Sequence, residues 1–135
     1  MKSTLVDTDI LSLFLRGEPT VVSRFGDYLK VYKRINLCII TYYEIVSGLK
    51  FRDAKKQLDR FMELVRHNTL LPLTERSSEI SAEIYANLRK QGRPIDDSDL
   101  LIAGIALENN LVIATRNLQH FDRIEGLTVV DWSQD

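Results

Sequence analysis

Asp96, Asp97 and Asp99 fill three of four successive positions, and the eight residues after them, Leu100 to Leu107, carry no charge. Further acids sit at the ends of other apolar runs: Asp7 and Asp9 after "TLV", and Glu44 shortly after "LCII"; the amide Asn117 comes just after "LVIAT". An unpaired carboxylate in apolar surroundings is costly and is normally neutralised or paired. Carboxylates that face each other repel and raise one another's pKa. A divalent cation relieves both problems, and hard carboxylate oxygens suit Mg2+ or Mn2+ in octahedral geometry with several waters kept. No cysteine or histidine pair has a zinc spacing. His67 falls at a helix end and His120 in a loop, and both are expected to be exposed.

Each acid also has a structural explanation. Asp7 or Asp9 can cap the helix "ILSLFLR". Thr41 to Glu44 matches the S/T-x-x-E capping box. Asp97 can cap the long apolar helix, with Asp99 complementing its dipole. Asp99 is the hardest to explain this way, because Asp97 and Ser98 suffice as a cap. It shares a helical face with Ile102, Ala103 and Ala106.

The elements that must position these residues alternate in type. "STLV", "INLCII", "TLLPL", "LVIAT" and "LTVVDW" read as strands, with "TLLPL" near an edge because of Pro72. Between them, "DILSLFLR" closes at Gly17 and Pro19, and "SSEISAEIYANLRKQ" closes before Gly92 and Pro94. "TVVSRFGDYLKVYKR" places Val22, Phe25, Leu29 and Tyr32 on one face, "TYYEIVSGL" opens a helix, and "AKKQLDRFMELVRH" carries Leu58, Phe61, Met62 and Val65. Ile80, Ile84 and Leu88 form another stripe, and "DSDLLIAGIALEN" is apolar all round. This alternation implies an α/β fold, a mostly parallel central sheet flanked by helices on both faces. In such sheets ligands bind beyond the carboxyl ends of the strands. Asp7, Glu44, Asp99 and Asn117 are then delivered to one rim.

The length of 135 residues suits one domain, spanning 1–135, with a core of its own. A net charge of −1 excludes a global basic signature for coating nucleic acid. Arg89, Lys90, Arg93, Arg116 and Arg123 are the local cations that could guide an anionic substrate, Arg116 best of all beside Asn117. The lone Cys38 cannot form a disulfide within the chain, reads as a small buried hydrophobe, and points to a reducing cytoplasm. No apolar stretch reaches about 18 residues, so no membrane span is expected. The start "MKSTLVDTD" has no signal-peptide core.

Together, "LVDTDILS", "ITYYEIVSGL", "GRPIDDSDLLIAGIA" and "LVIATRNLQHFDRIEGLTVVDW" resemble the PIN-domain family, specifically the VapC-type toxins of bacterial and archaeal toxin–antitoxin pairs. The resemblance spans nearly the whole chain. It implies a PIN-like fold and a Mg2+- or Mn2+-dependent endoribonuclease. The family's acidic positions fall on Asp7, Glu44 and Asp99, and a fourth, often Asp and sometimes Asn, falls on Asn117. Asp7 and Asp99 are then expected as direct metal ligands, with Glu44 binding through water or positioning the nucleophile. Asn117 would hold a water or a phosphate oxygen. Thr8 and Thr115 match small hydroxyl positions that orient carboxylates or phosphate, with Arg116 beside them. Asp9 stands where the family more often has Asn. The resemblance also implies an RNA substrate, a VapB-type antitoxin and a homodimer.

Two alternatives differ in chemistry. "LVDTD" also resembles the D-x-D of haloacid-dehalogenase-type phosphatases, in which Asp9 would be essential as the acid. A degenerate PIN domain would bind without cutting, and Asn117 is the feature that suggests it.

Overall fold

The computed structural model describes residues 1–135. Five strands form one all-parallel sheet in the order β3-β2-β1-β4-β5: β1 Thr4–Val6, β2 Asn36–Cys38, β3 Thr69–Leu71, β4 Val112–Ala114 and β5 Val129–Val130. Seven helices connect them: α1 Thr8–Leu15, α2 Pro19–Tyr32, α3 Ile39–Phe51, α4 Lys55–Arg66, α5 Glu75–Lys90, α6 Asp97–Glu108 and α7 Leu118–Phe121. None is long and apolar enough to cross a membrane.

Side chains alternate across a strand, so each strand supplies two cores. Val6, Leu37 and Ala114 point to one face, where α1 to α4 contribute Ile10, Phe25, Ile45 and Phe61. Leu5, Cys38 and Ile113 point to the other, with Leu88 of α5, Ile102 of α6 and Phe121 of α7. Both faces are therefore covered, as the near-continuous apolar strands require. β3 lies at the sheet edge, and Pro72 follows its last residue, where its missing N–H disturbs no ladder.

The strand order contains a topological switch point. From β1 the chain moves outward through β2 to β3, whereas β4 pairs on the other side of β1 and leads to β5. The loops after β1 and β4 consequently diverge and leave a crevice at their carboxyl ends. α6 runs back before β4, so its N-terminus lies on that same edge.

Four local expectations are corrected. On α2 the buried residues are Val21, Phe25 and Tyr28, whereas Val22 is 41% exposed and Leu29 and Tyr32 are each 36% exposed. Tertiary partners turn the helix: Tyr28 Oη accepts the Thr4 N–H at 3.0 Å, and Phe25 and Tyr28 both pack on Trp132. α3 begins at Ile39, so "INLCII" is half strand and half helix. Its N-cap is Cys38, without a side-chain cap, and Thr41 to Glu44 is no capping box. A capping box does form at α5, between Thr74 and Ser77. On α6 the cap is Asp96 rather than Asp97, and its side chain makes no cap hydrogen bond.

α5 and α6 pack unusually closely. A Cβ at Gly104 would collide with Ser81 Oγ and the Ser77 carbonyl. Ser77 and Ser81 are buried in that contact, and the Ser81 hydroxyl donates to the Leu100 carbonyl at 2.7 Å. This face of α5 is made of small residues, beside the aliphatic stripe that periodicity identifies. It locks the start of α6, and with it Asp99, against the body of the protein.

Candidate active site

Asp7 is the residue at which β1 becomes α1. Its backbone N–H continues the sheet to the Ala114 carbonyl at 2.9 Å, and its side chain is 5% exposed. One carboxylate oxygen, Oδ1, accepts the Thr8 N–H at 2.8 Å, and Oδ2 accepts the Thr115 hydroxyl at 2.8 Å. These donors do not compensate for its burial. Loss of solvent, with help from the adjacent Asp9 charge and a smaller contribution from Asp99, pushes the Asp7 carboxyl up to about 7. The capping and functional explanations of Asp7 therefore coexist, but a cap alone does not require burial this deep.

Thr115 is fully buried directly after β4. Its hydroxyl donates to Asp7 and accepts the Asn117 N–H at 3.0 Å, tying the ends of β1 and β4 together. Asp9 reinforces the tie: Oδ1 accepts the Ile10 N–H at 2.7 Å and Oδ2 the Arg116 N–H at 3.0 Å. Burial raises the Asp9 carboxyl, and these N–H groups oppose the rise.

Glu44 comes from the first half of α3. Its Oε1 accepts the Thr8 hydroxyl at 2.7 Å, and the hydroxyls of Thr8 and Thr41 lie 3.0 Å apart. A carboxylate only accepts, so the single Thr8 hydrogen serves Glu44 and Thr41 donates within the hydroxyl pair. Thr41 is fully buried, and this relay is what its position on α3 does in place of capping.

Asp99 faces the end of β4 from the first turn of α6. Its Oδ2 lies 3.2 Å from Asn117 Nδ2 and 2.9 Å from His120 Nδ1, and those two nitrogens are 2.7 Å apart. A single Nδ1 cannot both donate to Asp99 and accept from Asn117. Three polar atoms therefore converge with one more contact than their hydrogens can serve, an arrangement suited to a cation. Asp96, Asp99 and His120 are the trio whose ligand atoms all lie within 4.8 Å of one another.

His120 is thus not the exposed loop residue expected from sequence. It lies on α7 with its side chain 34% exposed, whereas His67 is 70% exposed, as expected. The signal lay in "NLQH": a three-residue spacing on a helical turn puts His120 beside Asn117. Among the surface cations, Arg123 is engaged, donating to the Pro94 carbonyl at 2.9 Å, and Arg89 lies over the Tyr85 ring. Arg116 is exposed.

The donor set is oxygen-rich with one imidazole, and the buried Asp7 lacks a cationic partner. It fits a divalent ion that accepts both oxygen and nitrogen ligands. Asp7 and Glu44 approach the site from the β1 side, bridged by Thr8, while Asp99, Asn117 and His120 approach from the β4 side.

A parallel sheet with acids gathered at its switch point defines a class of proteins built for chemistry at that edge. Residues 4–127 match the PIN domain, and the chain belongs to that family. It is similar to the ribonuclease VapC1 of Haemophilus influenzae, 33% identical over 133 residues that cover 96% of this chain and 98% of the relative. It is also similar to the tRNA(fMet)-specific endonuclease VapC of Shigella flexneri, 29% identical over 98% of this chain and 100% of the relative. Among solved structures, DNA-bound VapBC from Salmonella typhimurium superposes with a TM-score of 0.86 at 26% identity, covering 98% of this chain and 99% of that one.

Proposed function

We propose that this protein is a divalent-metal-dependent endoribonuclease, the toxin of a VapBC-type toxin–antitoxin pair, hydrolysing RNA phosphodiester bonds at specific sites. The observation that carries the reading is the hydrogen-bond chain at the switch point of a PIN-domain sheet that links Asp7 through Thr115 and Asn117 to Asp99, with Glu44 held beside Asp7 by Thr8. The names of its full-length relatives, ribonuclease and tRNA(fMet)-specific endonuclease, support the activity and the substrate class.

Asp7, Asp99 and Glu44 would hold Mg2+ or Mn2+, with Asp96 and His120 as further ligands on the Asp99 side. A divalent ion held there would supply Lewis acidity toward the scissile phosphate and would lower the pKa of a water. The chain's own residues prepare the site for this. Thr115 fixes Asp7 Oδ2, and Thr8 fixes Glu44 Oε1, leaving Oε2 free to position the attacking water. Asn117 orients Asp99 through Oδ2, leaving Oδ1 free. Thr8 and Arg116 would meet a substrate phosphate, whereas Thr115, fully buried and committed to Asp7 and the Asn117 N–H, orients the carboxylate instead. The neutral tendency of Asp7 couples its ionisation to cation binding, so loading the site releases a proton.

The phosphatase alternative depends on a mobile acid at Asp9. Both Asp9 oxygens are occupied by backbone N–H groups, which suits a structural tie better than a proton donor. The degenerate alternative rests on Asn117, whose amide holds Asp99 in place. The VapBC complexes among the structural neighbours support a VapB-type antitoxin as partner, and an antitoxin arginine in the acidic crevice would be charge-matched. A homodimer and a cytoplasmic location complete the proposal.

The test is total RNA from the source organism incubated with wild type or Asp99→Asn, in Mg2+, Mn2+ or EDTA, with new 5′ ends mapped by sequencing. New ends at a few sites, for wild type with metal only, are expected. Equal cleavage by folded Asp99→Asn would sink the site assignment, and no cleavage by metal-loaded wild type would sink the activity.

A further inference from the structure

Beside the acidic crevice lies a second cavity of about 500 Å3 between α1, α3 and α4. Thr8 and Glu44 line both, so the two are continuous. The far side carries Arg16, Arg52 and Arg60, from three different helices. All three are exposed, and none forms an ion pair with a carboxylate. The Arg52 guanidinium lies back over Gly48, its Nη1 3.5 Å from where a Cβ would stand, and so is aimed into the cavity. Leu15, Ile45 and Leu49 are the apolar members of the lining.

Arg16 and Arg52 stand at the C-terminal ends of α1 and α3, where a cation complements the helix dipole. That explains a positive charge at each end. It does not explain Arg60, which lies mid-way along α4, nor why three guanidiniums that repel each other face one cavity whose only lining carboxylate is Glu44, with which none of them pairs. An anion with several acceptor groups resolves the repulsion, and guanidinium binds phosphate through paired N–H donors. The position of the cavity narrows the choice. A polyanionic strand whose scissile phosphate sits at a negative rim needs local cationic anchoring beside that rim, because the chain as a whole, at net charge −1, carries no global positive field.

Resting on the nuclease reading above, we propose that this cavity is a backbone subsite for single-stranded RNA flanking the cleaved bond. Arg16, Arg52 and Arg60 bind its phosphates, and the apolar floor receives a ribose. Base identity is not read here, since the lining offers charge rather than a shaped pocket for a base edge.

The test uses Asp99→Asn protein and a fluorescein-labelled single-stranded oligoribonucleotide, with affinity followed by anisotropy across a salt series. Each Arg→Gln change is expected to flatten the log–log salt dependence by about 0.7, and the triple variant to lose affinity on the order of tenfold or more. Arg→Lys variants keep the slope while binding more weakly. Thermal midpoints near that of the parent protein confirm that these exposed positions leave the fold intact. Cleavage of total RNA by wild type, and by the triple variant with Asp99 retained, is scored in parallel, which separates the subsite from the activity. Wild-type cleavage alongside unchanged RNA affinity and slope in the triple variant overturns the subsite and leaves the nuclease standing. Poly-glutamate binding that the triple variant loses, with RNA binding unaffected, assigns the cavity to an acidic peptide and also overturns it.

Discussion

Removing the Asp7 carboxylate should stabilise the protein while destroying its activity. Burial, with the Asp9 charge, raises this carboxyl from 3.8 to about 7. Each pKa unit corresponds to about 1.4 kcal/mol, so holding the ionised form in the fold costs about 4 kcal/mol in the absence of a cation. The sign follows from proton counting. Below about pH 4 Asp7 is neutral in both folded and unfolded chains and costs nothing. Between pH 4 and 7 the folded chain keeps a proton that the unfolded chain releases, so stability falls as pH rises; above 7 the penalty is complete. Asp7→Asn reproduces the neutral form in nearly the same shape, and the Thr115 hydroxyl can turn to accept from the new amide. Urea unfolding of both proteins in EDTA, from pH 4 to 8.5, isolates the difference, because other titrations are common to the pair. The variant should gain little at the acid end and about 4 kcal/mol at pH 8, equivalent to a midpoint rise on the order of 10 °C. Mg2+ or Mn2+ should narrow the gap, since the ion binds the ionised wild type and not the amide. A gap that does not change with pH, or a variant less stable than wild type at pH 8, would refute the reasoning.

Other consequences can be measured on single variants. His120→Ala should keep the fold and lower apparent Mn2+ affinity by about 10- to 100-fold, read by metal titration of cleavage, since it removes a contact to Asp99. Thr115→Val removes a hydrogen bond that holds the Asp7 carboxyl down, so the acid limb of the pH–rate profile should move to higher pH. It should also cost about 1–3 kcal/mol in chemical denaturation, because the Asn117 N–H loses its acceptor. Gly104→Ala forces α5 and α6 apart and should destabilise by about 1–3 kcal/mol or more, with a lowered thermal midpoint.

Much of the architecture was readable because two signals coincide in this chain. Short β-branched runs alternate with helical periodicity, and polar residues follow the strands where a parallel sheet places its binding edge. That pattern, and the resemblance it completes, point to Asp7, Glu44, Asp99 and Asn117 as the candidate site. What escaped depends on partners distant in sequence. The buried face of α2 is set by Tyr28 reaching Thr4, which periodicity does not encode. Thr41 to Glu44 has the letters of a capping box, but the helix is capped three residues earlier, at Cys38, and puts both side chains to other use. His120 looked like a loop residue because α7 is only four residues long. Arg16, Arg52 and Arg60 are scattered along the chain, and only the packing of α1, α3 and α4 gathers them.

The order of strands also governs when this protein can become dangerous to the cell that makes it. β1 is held through a single registered pair with β2, Leu5 with Asn36, and through three pairs with β4, Thr4 with Val112 to Val6 with Ala114. Asp7 must therefore wait for a segment more than a hundred residues later in synthesis before its own strand is secured. Asp99 and His120 arrive at the same late stage. Contacts so remote in sequence form slowly and last. A chain still attached to the ribosome, or one released early by interrupted translation, carries Asp7 and Glu44 without the half-site that faces them. The acidic rim is complete only after β4 and α7 have been made and packed against β1.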